Sequence, residues 1–181
     1  MRFRRIAPGV AASLAAVLTA GALRVAVVRA ANDRPETLIY AVYDGQDRAS
    51  EVFKTMKSAQ GDTGERIESY AVVSKDLKGK VTVRDQRKRD AGVGAVLGGV
   101  IGLIGGPAGV AVGATAGGTA GYLTGNAVGI PRDKVESMKQ SLVPDSSALV
   151  VVLDDRWVKD VDRDMRQAQA REVIASQISG K

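Results

Sequence analysis

The side chains best placed for chemistry are acids. Asp154 and Asp155 close the apolar run SALVVVL (147–153), and the end of a strand is where α/β-type sheets often carry ligand groups. The same pair also fits a polar turn that caps a helix starting near Arg156, and that second reading is the expectation. Asp160, Asp162 and Asp164 alternate along the chain. On a helix they point in different directions, so they are not expected to hold a metal. The sequence has neither histidine nor cysteine, which removes the commonest general base, the thiol nucleophile, and imidazole and thiolate ligands. Tyr40, Tyr43 and Trp157 read as core or interface residues. The expectation is a protein that is not an enzyme, with no cofactor, no metal and no small-molecule substrate.

The densest basic run of the body is RDQRKRD (84–90), with Arg84, Arg87, Lys88 and Arg89. It has no interleaved aromatics and contains Asp85 and Asp90, so a nucleic-acid partner is not expected. The formal charge of +6 comes largely from the N-terminus: six of the 26 basic side chains but only one of the 20 acids lie within residues 1–34. The basic run stands just before a long uncharged stretch, and Arg132 stands just after it. That placement suits lipid headgroups.

The stretch itself, 91–131, carries no charge and two glycine ladders. Gly94, Gly98, Gly102 and Gly106 form the first. Gly109, Gly113, Gly117, Gly121, Gly125 and Gly129 form the second, and Gly105-Gly106-Pro107 supplies turn chemistry between them. The filling of Val, Ala, Leu, Ile and Thr differs from that of a flexible linker. A phosphate loop would need a glycine at Leu97 and a following lysine. Helix packing remains. Glycine costs about 1 kcal/mol per helix-interior position relative to alanine. A bilayer that enforces backbone hydrogen bonding, or close backbone approach along a stripe drifting about 40° per step, offsets that cost. A Gly-zipper helical hairpin over 91–130 is expected, inserted in or lying against a membrane, or buried in a homo-oligomer.

The elements that frame it follow from period and turn residues. LIYAVYD (38–44) reads as a buried strand. DRASEVFKTMKSAQ (47–60) puts Ala49, Val52, Phe53 and Met56 on one helical stripe. RIESYAVVSKD (66–76) and GKVTVRDQ (79–86) read as two strands. IPRDKVESMKQSL (130–142) is a helix, and SALVVVL is a strand covered on both faces. A helical stripe runs through Trp157, Val161, Met165 and Ala168, and EVIASQI (172–178) is a last strand. The order β-α-β-β-insert-α-β-α-β predicts an α+β fold, a ferredoxin-like sandwich with helices on one face of a mostly antiparallel sheet.

At the N-terminus, MRFRR precedes 18 uncharged residues, 6–23, so residues 1–34 are expected to form a signal peptide or membrane anchor, with one α+β domain over 36–181. This leader and the basic run at 84–90 point to opposite sides of the membrane, so the side is left open.

The pattern from Leu38 to Ile178 resembles the bacterial family catalogued as domain of unknown function 1269, described as predicted membrane proteins. The carrying stretches are LIYAVYDGQDRASEVF (38–53), YAVVSKDLKGKVTVRDQ (70–86), GVGAVLGGVIGLIGGPAGVAVGATAGGTAGYLTG (92–125) and SLVPDSSALVVVL (141–153). The resemblance implies membrane association and brings no catalytic residues. The expected function is structural: a membrane-associated, self-assembling protein, with envelope or stress homeostasis as a candidate role. A pore element and a soluble ligand-binding module stand as alternatives.

Overall fold

The computed structural model describes residues 36–59, 67, 69–88, 91–105 and 129–178. The expected leader, Gly106, the turn at Pro107 and the second ladder from Gly109 to Gly125 lie outside them, as does Arg89. Among the described residues five strands and four α-helices make a mixed α+β domain: β1 (Glu36–Asp44), α1 (Arg48–Ala59), β2 (Ser69–Lys75), β3 (Val81–Arg87), α2 (Ala91–Ile104), α3 (Arg132–Ser141), β4 (Ser146–Asp154), α4 (Val158–Gln167) and β5 (Glu172–Ile178). The sheet order is β3-β2-β4-β1-β5, and every neighbouring pair is antiparallel.

The two central strands explain the layering. Along β1, Leu38, Tyr40 and Val42 enter one core while Ile39, Ala41 and Tyr43 enter the other. Along β4, Ala148, Val150 and Val152 alternate in the same way with Leu149, Val151 and Leu153. A strand whose successive side chains point to opposite faces can be apolar throughout only if both faces are covered. Helices α1 and α4 cover one face, through Val52, Phe53, Val161 and Met165. Helices α2 and α3 cover the other, through Leu97, Ile101, Val135 and Met138. Helices on both faces replace the expected single helical layer, because α2, from the insert, and α3, which follows it, both pack on the second face.

Local chemistry fixes the joints. Gly45 takes a φ of +87°, open to glycine without strain, and its N–H donates to the Asp145 carbonyl at 2.8 Å. Ser147 of β4 then caps α1: its hydroxyl donates to the Gly45 carbonyl at 2.6 Å and accepts from the Ala49 N–H at 3.0 Å. In the β2–β3 turn the Asp76 carboxylate accepts from the N–H groups of Lys78 and Lys80, at 2.9 and 2.8 Å. The C-terminus of α3 receives cations, as the orphan carbonyls of a helix end favour. Lys75 donates to the Leu142 carbonyl at 2.9 Å, and Arg171 donates to the Ser141 carbonyl while pairing with Asp44 at 2.7 Å.

Candidate functional site

The glycine-bearing helix is the feature the sequence singled out, and the structure gives it a definite seat. α2 buries Val93, Leu97, Val100, Ile101 and Ile104 on the sheet. At 100° per residue these five fall within one stripe of about 100°. Gly94, Gly98 and Gly102 run along its flank, the first two buried and the third half-buried. The large side chains therefore seat α2 on its own sheet. At Gly94 an added Cβ would come to 3.1 Å from the Lys88 side chain, so this glycine makes room for the lysine stem. Gly105 follows the helix, its N–H donating to the Ile101 carbonyl at 3.0 Å. Gly129 stands in a turn with a φ of +72°, a backbone setting outside any helix.

The basic flank is divided. Arg84 is the extra residue of a bulge, since Val72 pairs with Asp85 and Val73 with Val83. A bulged residue has no partner across the ladder and is re-aimed by the local twist. Here it turns along the sheet to donate to the Ser74 hydroxyl at 2.9 Å, with Asp47 at 3.8 Å. Arg87 and Arg132 are exposed, and Lys88 is half-buried. No sequence cue marked Arg84 as different, because a bulge depends on register with β2.

The acids are occupied by structure. Asp154 caps the turn Asp155–Trp157, accepting from the Arg156 N–H at 3.1 Å. Asp155 accepts from Thr37 at 2.5 Å and from Gln177 at 3.1 Å, tying β1 to β5. On α4, Arg163 pairs with Asp160 at 3.0 Å and Arg166 with Asp162 at 2.9 Å. Among the described residues no three acids group as metal ligands do.

Two buried tyrosines remain. The Tyr40 hydroxyl donates to the Met138 carbonyl at 3.2 Å and accepts from Ser141 at 3.2 Å. Among the described residues the Tyr43 hydroxyl, which is buried, has no hydrogen-bond partner. Burial pushes both hydroxyls well above the ordinary tyrosine range, because it disfavours the phenolate. The stability linked to the neutral forms is complete below pH 10 and is lost as the pH rises beyond it. Tyr40→Phe should lower stability by about 0.5–1.5 kcal/mol, the usual net worth of a hydrogen bond. Tyr43→Phe should be neutral or stabilising, since it removes an unpaired buried hydroxyl. Urea unfolding of the two variants side by side checks the contrast, and a loss at Tyr43 as large as that at Tyr40 would contradict it.

Taken together, fold and side chains define a mixed α+β domain that carries an uncharged, glycine-laddered segment between its third strand and its third helix. The chain belongs to the family described as Protein of unknown function (DUF1269), whose model matches residues 91–181. That match begins at the first residue of α2 and takes in the ladder, β4, α4 and β5. No curated protein and no solved structure matches the chain.

Proposed function

We propose that this is a non-enzymatic, membrane-associated protein that self-assembles through the uncharged segment 91–130, displayed on a ferredoxin-like core. The core reading is supported by β2-β4-β1-β5, in which α1 and α4 each cross the same face and β3 is an added edge. The functional reading is carried by one observation: α2 seats its large side chains in the core and leaves Gly102, beside them, half-buried. A half-buried glycine beside the seated stripe leaves room for another backbone to approach closely. The 14 residues of α2 cover about 21 Å, short of a hydrocarbon core of roughly 30 Å. No helix among the described residues is long and apolar enough to cross a membrane. The proposed lipid contact therefore does not rest on a span by α2.

Flotation of the full chain with anionic and neutral vesicles tests the membrane half. Light scattering in mild detergent, on the parent and on a variant with Gly113, Gly117 and Gly121 replaced by leucine, tests the assembly half. Co-flotation and a smaller mass for the variant are expected. A chain that stays in the soluble fraction without detergent, or an unchanged mass, removes the corresponding half. A soluble α+β module is the second reading, favoured by the seating of α2 on the sheet, and recovery in the soluble fraction selects it.

A further inference from the structure

The two edges of the sheet differ in kind. β3 is defended in the ways edge strands usually are: it carries Arg84, Asp85 and Arg87 and is interrupted by the bulge at Arg84. An antiparallel self-pairing centred on β3 would also set Arg84 against Arg84, a like-charge contact. β5 has only one of these defences, Glu172 at its first position. From Val173 to Ile178 it contains no charge, proline or glycine. Its ladder with β1 runs unbroken from Glu36↔Ile178 to Val42↔Glu172. Among the described residues no strand pairs with its other side.

We infer that the β5 edge pairs with the β5 edge of a second copy of this chain, across a twofold axis perpendicular to the sheet. The residue pattern fits that occupant. Centred on Ala175, the antiparallel register sets Ala175 against Ala175, Ile174 against Ser176, Val173 against Gln177 and Glu172 against Ile178. Paired residues share a face, no like charges meet, and the smallest side chain of the strand lies on the axis, where a residue must face itself. The half-exposed Val173, Ala175 and Ile178 each gain a side chain opposite, Gln177, Ala175 and Glu172 respectively. A partner with another sequence would not need this symmetry. The inference does not depend on segment 91–130.

Charge at the axis tests it on the full chain. Ala175→Lys and Ala175→Asp place like charges directly opposite in their own homodimers. Each should sediment at half the parent's mass, and an equimolar mixture of the two should return to the parent's mass. Circular dichroism melting confirms folding. Should either variant fail to fold, hydrogen exchange on the parent serves instead: β5 amides should lose protection on dilution while those of β4 do not. A parent that is monomeric throughout, a mass indifferent to both charges, a mixture that fails to reassociate, or β5 protection unchanged on dilution would overturn the inference. Vesicle flotation of the Ala175 variants should match the parent, which separates failure here from failure of the membrane reading.

Discussion

Leu97→Ala should lower the stability of the domain by about 2–5 kcal/mol in water, the range for a buried leucine that leaves a cavity. Leu97 is 1% exposed and packs in the core that α2 shares with β1, β2, β4 and α3. Leu103→Ala on the same helix should cost roughly half as much or less, because Leu103 only partly enters that core and less apolar area leaves water there. Guanidinium unfolding of the full chain gives both values. A helix whose partner is lipid would show neither the loss nor the ranking, so equal and small effects would mean that α2 is not seated as described.

That ranking bears on what could be read from the residues. Two patterns with a step of four overlap in α2, one position apart: Val93, Leu97, Ile101 and Gly94, Gly98, Gly102. The glycines draw notice because they are unusual in a helix. The energy lies in their neighbours, since each buried aliphatic side chain is worth about 1.5–3 kcal/mol relative to exposure. Reading the stripe that is present, rather than the one that is missing, places α2 on a sheet. Elsewhere period and turn residues were enough. Ala49, Val52, Phe53 and Met56 are the buried face of α1, and Asp154 is a cap. Element order alone leaves open the side of the sheet to which the insert returns. The apolar runs of β1 and β4 did contain the answer: strands buried on both faces require a helical layer on each. The bulge at Arg84 was beyond reach, being a property of the β2–β3 register.

The shared strands lead to the second large effect, on the opposite face. Phe53→Ala should cost about 3–5 kcal/mol. Phe53 is 3% exposed, its ring centroid lies 4.1 Å from that of Tyr70 at a tilt of 41°, and the Lys57 ammonium sits 5.5 Å from it. Truncation removes the area, the tilted ring pair and the cation contact together. The loss should appear in the same unfolding transition as that of Leu97→Ala. β1, β2 and β4 send alternate residues into both cores, so neither core can come apart while the sheet keeps the other, and unfolding is expected to be two-state. Phe53 and Leu97 are nonetheless kept apart by the sheet and belong to different clusters, so the double variant should lose the sum of the two single losses within about 0.5 kcal/mol. Two separate transitions, one moved by each substitution, would mean that the sheet does not couple its faces. A double variant far from additive would mean that strain passes through it.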